Sequence, residues 1–160
     1  MRRRTLLASG GIAAMGLLGG CVGAPRETPP RLGWVGVHNY SSEARRFRVE
    51  ILREADVVHE STHEIEGRSE DTIPGEVLEC TWGEEPGPYT IRARVDGGEW
   101  VEQSIADAIE DDPTMEDPDC VVTTVQYMMG ISETFTFRVR DTCGAVSGFD
   151  GGCSFANSET

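Results

Sequence analysis

The string His59-Glu60-Ser61-Thr62-His63 is the pattern in this sequence that most directly suggests chemistry. In zinc peptidases the pattern H-E-x-x-H lies on a helix, where two imidazoles one turn apart bind zinc and the glutamate acts as general base. Here Val57 and Val58 precede the string and Ile65 follows it, just after a strand and a turn, so the segment favours a second hairpin strand. In a strand the two histidines lie about 13 Å apart, too far to share one ion at bonds of about 2 Å. We therefore expect two polar residues on a solvated strand face, with zinc catalysis as the alternative.

Other patterns with chemical potential are weaker. His38 is the only other histidine, and no histidine follows residue 63, which argues against a blue-copper site of the usual pattern. Residues 107–119 hold seven acids, typical of a solvated loop; capture of a hard cation such as calcium is the alternative, although no Asp-x-Asp-x-Asp-Gly loop is present. Neither Gly-x-Ser-x-Gly nor a phosphate-cradling loop occurs. We expect no enzymatic activity and no cofactor.

The elements that would position these residues are mostly strands. Apolar and polar residues alternate over 46–51, 89–95 and 134–140, and residues 34–38 and 121–128 are rich in β-branched and aromatic types. Only residues 101–112 favour a short helical turn, with Ile105, Ala108 and Ile109 on one side. Seven or eight short strands separated by turn residues predict an all-β, antiparallel β-sandwich of immunoglobulin-like kind, in which Tyr89 is either a corner tyrosine or a core aromatic residue.

Composition limits the classes of partner. The 160 residues include 28 acids and 14 basic residues, all of them arginine, for a formal net charge of −14. A nucleic-acid-binding protein is not expected, because no basic stripe is present to neutralise phosphates. Hydrophobic residues make up 38% of the chain, enough for one folded domain rather than a disordered acidic chain.

The N-terminal 21 residues have the order of a targeting segment. Three arginines (residues 2–4) and Leu6-Leu7 precede a short apolar run that ends in Leu18-Gly19-Gly20-Cys21. The front resembles a twin-arginine export signal and the end resembles a lipobox, which implies cleavage before a lipid-carrying Cys21. A secretory signal with an incidental cysteine and an uncleaved anchor remain alternatives. We predict a signal peptide over 1–20, a Pro-rich tether over 21–31 and one domain over 32–160.

The bulk composition adds to this resemblance. Cleavage after residue 20 removes three arginines and no acid, so 11 arginines would face 28 acids, a net charge of −17. Such a lysine-free, acidic surface resembles that of exported lipoproteins of haloarchaea, where carboxylates keep proteins hydrated in high salt. The resemblance implies a lipid anchor on the outer face of the cell membrane and a surface protein or solute as partner. It covers the signal and the composition but no catalytic motif.

Four cysteines remain if Cys21 carries lipid, and an even number in an exported chain predicts two disulfides. Three pairings are possible; the short loop favours Cys143 with Cys153, which leaves Cys80 to join Cys120. A four-cysteine zinc site is the alternative, but no Cys-x-x-Cys knuckle occurs.

Asn39-Tyr40-Ser41 is an N-glycosylation sequon whose occupancy the sequence leaves open. Taken together, these features predict a non-enzymatic, lipid-anchored surface module of unknown ligand. The alternatives are a zinc metallopeptidase using His59, Glu60 and His63, and an extracellular solute or metal carrier.

Overall fold

The computed structural model describes residues 28–143 and 151–157, which form a β-sandwich. Within these residues the helical elements are one short α-helix and one terminal 3-10 helix. The elements in chain order are β1 (Arg31–Asn39), β2 (Arg45–Arg53), β3 (Asp56–Ile65), β4 (Gly75–Val77), β5 (Tyr89–Val95), β6 (Val101–Ser104), α1 (Ile105–Asp111), β7 (Cys120–Tyr127), β8 (Phe135–Arg140) and the 3-10 helix (Ser154–Asn157).

The strands form two four-stranded sheets, which we call sheet A and sheet B. Sheet A has the order β4-β1-β7-β8, and sheet B has the order β3-β2-β5-β6. Every strand pairing in the two sheets is antiparallel except that of β1 with β7, which is parallel. The prediction of a β-sandwich of seven or eight strands is confirmed, with eight strands present. Among the described strands, the parallel pair is the one departure from antiparallel pairing.

The core lies between the sheets and is built from the alternation that the sequence displays. In β2 the apolar residues Phe47, Val49 and Ile51 are fully buried, while the intervening positions turn to the outer face. The Phe47 ring is central: it makes edge contacts with the rings of Tyr127 at 5.6 Å and Phe135 at 6.1 Å. Such edge contacts add to the stabilisation from burial alone.

The predicted helical turn over 101–112 divides into two elements. Residues 101–104 pair with β5 as strand β6, and α1 starts directly afterwards, with the Ser104 hydroxyl accepting a hydrogen bond from the amide of Asp107. Ile105 and Ile109, four residues apart, are buried on one side of the helix. The helix is therefore confirmed, and the strand before it was missed because four residues are too few to show a period.

Tyr89 satisfies both interpretations offered by the sequence. Its side chain is 1% exposed, so it is a core aromatic residue. Its hydroxyl also donates a hydrogen bond of 2.7 Å to the carbonyl oxygen of Glu85, four residues upstream, as a corner tyrosine does.

Two disulfides are present, as expected, but the predicted pairing is wrong. We call Cys80–Cys153, separated by 73 residues, the wide disulfide, and Cys120–Cys143, separated by 23 residues, the narrow disulfide. The narrow disulfide follows from the antiparallel register, which pairs Val122 with Arg140 and so brings the start of β7 beside the end of β8.

The wide disulfide depends on the C-terminal segment. The amide of Gly152 donates to the carbonyl of Leu78 at 3.0 Å, which places Cys153 beside the chain that follows β4. Gly33 explains the tight packing nearby: a Cβ there would lie 3.0 Å from the sulfur of Cys143, so a larger residue would push against the narrow disulfide.

Candidate functional site

Four arginines on the outer side of sheet B form the most distinctive surface of the described residues. Alternation in β2 and β5 turns them away from the core, and the antiparallel register places Arg48 opposite Arg94 and Glu50 opposite Arg92. Trp100, just before β6, lies among their guanidinium groups. We call this set the arginine face: Arg46, Arg48, Arg92, Arg94 and Trp100.

Carboxylates hold three of these arginines. Glu50 has only 4% of its surface exposed, and it accepts a hydrogen bond of 2.7 Å from Nε of Arg92. Arg48 donates to the carboxylate of Glu60 at 2.6 Å, and this hydrogen bond is the main reason that the pKa of Glu60 lies below its usual value. A buried carboxylate with two guanidinium groups beside it orients both side chains before any ligand arrives.

A third ion pair joins Arg46 to Glu64 across β2 and β3, at the more exposed edge of the arginine face. Exposed pairs of this kind contribute little to stability, so Arg46 remains available to other anions.

Arg94 differs from its neighbours. It forms no ion pair among residues 28–143 and 151–157, although the chain holds twice as many acids as bases. Its guanidinium carbon lies 4.7 Å from the centre of the Trp100 ring, and its cross-strand neighbour Arg48 carries the same charge. Like charges directly opposite in a sheet are destabilising, whereas a cation over a tryptophan ring is attracted to it.

A shallow concavity of about 910 Å³ borders this face. Its lining includes four arginines and three acids: Arg45, Arg46, Arg48, Arg94, Glu64, Glu66 and Asp96. Guanidinium groups present several N–H donors in a planar arrangement that fits carboxylate, sulfate and phosphate oxygens. The arrangement is therefore suited to binding an oxyanion.

A second polar group lies where the edges of the two sheets meet. Residues 59, 61 and 63 of β3 share its inner side and face β4. Both His59 Nε2 and His63 Nε2 contact the Ser61 hydroxyl oxygen, at 2.9 Å and 2.8 Å. His63 Nδ1 contacts the Glu76 carboxylate at 2.6 Å, and His59 Nδ1 contacts the Thr81 hydroxyl at 2.6 Å. We call these five residues the histidine cluster.

One order of donors satisfies the whole chain with both imidazoles neutral. A carboxylate only accepts, so His63 donates from Nδ1 to Glu76 and accepts at Nε2 from the Ser61 hydroxyl. Ser61 then accepts from Nε2 of His59, whose Nδ1 accepts from Thr81. Burial favours the neutral form of His59, since desolvation lowers the pKa of this imidazole.

The structure corrects the expected environment of His59. It confirms that residues 56–65 form a strand, so the helix that the zinc peptidase motif requires is not formed. The strand face is not solvated, however: His59 is 7% exposed and its ring contacts that of Trp82 edge-on at 5.4 Å. In the described ranges, no group of three or more His, Cys, Asp or Glu side chains is arranged to hold a metal ion.

Asn39, the residue of the sequon, is fully buried. Its Nδ2 donates to the carbonyl oxygens of Glu43 and Glu66 at 2.8 Å and 2.9 Å, and its Oδ1 accepts from the Ser41 amide at 3.0 Å. The side chain thus fastens the β1–β2 turn to the end of β3, and its nitrogen is the atom that a glycan would need.

The remaining predicted residues lie apart from both sites or outside the structure. Residues 1–27, with Cys21, are outside the described residues. His38 lies in β1, half-buried, with its pKa lowered by desolvation. In the acidic segment, Asp112 accepts from both the amide and the hydroxyl of Thr114, so this carboxylate shapes a turn.

The sequence analysis missed the arginine face and the convergence of the histidines. The Arg-x-Arg pattern was visible at residues 46–48 and 92–94, but nothing local indicated that β2 pairs with β5.

In the described part of the chain, no helix has the length and apolarity to cross a membrane. Comparisons with protein families, with characterised proteins and with solved structures find no match to this chain.

Proposed function

We propose that this chain is a non-enzymatic, lipid-anchored module of the cell surface that binds an anionic ligand through the arginine face. The single observation that carries the ligand class is Arg94, a guanidinium that forms no close ion pair among the described residues and lies opposite Arg48. Glu50 and Glu60 form ion pairs with Arg48, so within the described ranges only the longer-range attraction of Glu60 offsets the charge of Arg94. A bound oxyanion would relieve the repulsion between the two cations, since each could donate charge-assisted hydrogen bonds to it.

The contacts that hold the neighbouring side chains in place support this proposal. Glu50 and Glu60 fix Arg48, and Trp100 lies against Arg94, so little side-chain freedom is lost when a ligand binds. The surrounding negative charge would disfavour a large polyanion that covers the whole domain. A carboxylate or sulfate group on a surface polymer or solute, reaching only this face, fits better.

The test is binding of immobilised polygalacturonate and dextran sulfate, with neutral dextran as the blank, to purified protein at increasing salt. Arg94→Gln should weaken binding about tenfold, the loss of one charge-assisted contact of about 1.4 kcal/mol. Arg138→Gln is the matched control, because it makes the same charge change at an exposed position of β8, in the opposite sheet A. Equal affinities for the two variants, or no binding of either anionic polymer, would remove the arginine face as the site.

The anchor is tested separately. Cys21→Ala should release the protein from membranes into the medium, because the thiol that would carry lipid is lost. Retention of this variant on membranes would overturn the proposed attachment but leave the ligand proposal intact.

A further inference from the structure

The two imidazoles of the histidine cluster both direct Nε2 toward the hydroxyl oxygen of Ser61. Nε2 of His59 and Nε2 of His63 lie 2.9 Å and 2.8 Å from the Ser61 oxygen, so the two nitrogens are less than about 6 Å apart. The expectation that a strand keeps them too far apart holds for the backbone, but the side chains lean toward each other over the small Ser61.

The other ring nitrogen of each imidazole, Nδ1, also has a hydrogen-bond partner. Thr81 contacts Nδ1 of His59 and Glu76 contacts Nδ1 of His63, both at 2.6 Å. Metal-binding histidines nearly always donate the second ring N–H to such an outer partner, which fixes the ring orientation and raises the basicity of the ligand atom. His63 already donates from Nδ1 to Glu76, and His59 does the same toward the Thr81 hydroxyl when its proton moves from Nε2 to Nδ1. The pair is therefore oriented as a chelating pair would be.

We propose that the histidine cluster binds one divalent transition-metal ion of the zinc or copper type through Nε2 of His59 and Nε2 of His63. Imidazole nitrogen is a good ligand for both ions, at bonds of about 2.0–2.1 Å. An ion at the position of the Ser61 hydroxyl oxygen needs each ring nitrogen to approach by about 0.8 Å, and it requires the hydroxyl to rotate away.

The surroundings leave room for the remaining ligands. Glu76 is half exposed, at 50% of its side chain, so water can reach the side of the cluster at Glu76 and complete the coordination there. Glu60, the glutamate of the H-E-x-x-H string, lies on the opposite side of the strand and binds Arg48. The site therefore lacks the general base of the zinc peptidases, and we infer capture of the ion without hydrolysis.

The site is independent of the proposed function. The histidine cluster lies on the inner side of sheet B, and the arginine face lies on its outer side. Either one can fail its test without affecting the other.

The experiment is calorimetric titration of the full-length protein, first freed of metal with a chelator, with ZnCl₂ and with CuCl₂. We expect one ion per chain, with Cu²⁺ bound more tightly than Zn²⁺. His59→Gln and His63→Gln should each lower the affinity at least tenfold, and Glu76→Gln should lower it about 10–100-fold without changing the stoichiometry. His38→Gln is the matched control and should bind like the unchanged protein, because His38 lies in β1 outside the cluster.

Circular dichroism of each metal-free variant would reveal whether it folds. A second measurement, on the unchanged protein, covers the case in which a histidine variant does not fold. Electron paramagnetic resonance of the Cu²⁺-loaded, unchanged protein should show coupling to two imidazole nitrogens. Absence of saturable binding, a spectrum without histidine nitrogen, or folded His59 and His63 variants that bind like the His38 variant would overturn the proposal.

Discussion

Replacement of Asn39 by alanine should destabilise the domain more than any change at an exposed turn residue. The buried amide nitrogen donates to the carbonyl oxygens of Glu43, Ile65 and Glu66, at 2.8 to 3.1 Å, and its oxygen accepts from both the amide and the hydroxyl of Ser41. Asn39 and Ser41 are buried, so the truncated side chain would leave the Ser41 amide and the Ile65 carbonyl without this partner inside the fold.

The magnitude follows from the number of bonds. The amide group has two hydrogens and accepts two further bonds, so about four net hydrogen bonds are lost, each worth about 1 kcal/mol. The orphaned buried groups place the total at about 3–5 kcal/mol. For a domain of this size that free-energy loss corresponds to a fall in melting temperature of about 10–20 °C.

The assay is chemical denaturation followed by circular dichroism, which gives the free energy of unfolding for each variant. Ser42→Ala, at an exposed neighbouring position, is the control and should change stability by less than about 0.5 kcal/mol. Asn39→Asp keeps the acceptor oxygen but turns a second oxygen toward the three carbonyls, so it should destabilise at least as much at neutral pH. A loss below about 1 kcal/mol for Asn39→Ala would refute the reasoning.

The same geometry predicts the state of the sequon. Peptide mapping of the native protein by mass spectrometry should find Asn39 unmodified, because both hydrogens of its nitrogen are engaged inside the fold. A glycan on that peptide would show that modification precedes folding and would contradict this prediction.

Two further predictions concern the disulfides and one acid. Removal of the wide disulfide by a double Cys→Ala change should lower the free energy of unfolding by about 4.4 kcal/mol, and removal of the narrow disulfide by about 3.4 kcal/mol. These values follow from the loop-closure entropy for separations of 73 and 23 residues. Non-reducing peptide mapping should show these two links, and a Cys143–Cys153 peptide would contradict them. The pKa of Asp96 is lowered in the folded protein, chiefly by a hydrogen bond from the Arg46 amide and also by a hydrogen bond from the Arg45 side chain. The ionised carboxylate therefore stabilises the fold above its unfolded-state pKa of 3.8, and this stabilisation is lost as the pH falls through the lower folded-state pKa. Asp96→Asn should therefore reduce stability at pH 7 and flatten the pH dependence below pH 4 in urea titrations; an unchanged acid limb would count against it.

Several elements could be predicted because their signal is local. Alternation over 46–51 and 89–95 has the period of a strand, and β-branched residues around the H-E-x-x-H string favoured strand over helix. Ile105 and Ile109 likewise marked the one short helix. Each of these patterns is a property of residues close together in the sequence, so it can be recognised before the tertiary structure is known.

The short elements left no such signal. β4 has only three residues, yet it supplies Glu76 to the histidine cluster and forms an edge strand of sheet A. The pairing of the cysteines also failed, because loop length favoured Cys143 with Cys153 whereas strand register set the neighbours.

What the sequence by itself determined is the class of fold, the strand identity of residues 56–65 and the acidic, lysine-free composition. Only the tertiary structure decided that β2 pairs with β5, which sets Arg48 opposite Arg94, and that His59 and His63 lean over Ser61. The physical reason is that side-chain periodicity fixes which face of a strand a residue occupies, whereas register between distant strands and side-chain packing fix which residues meet on that face.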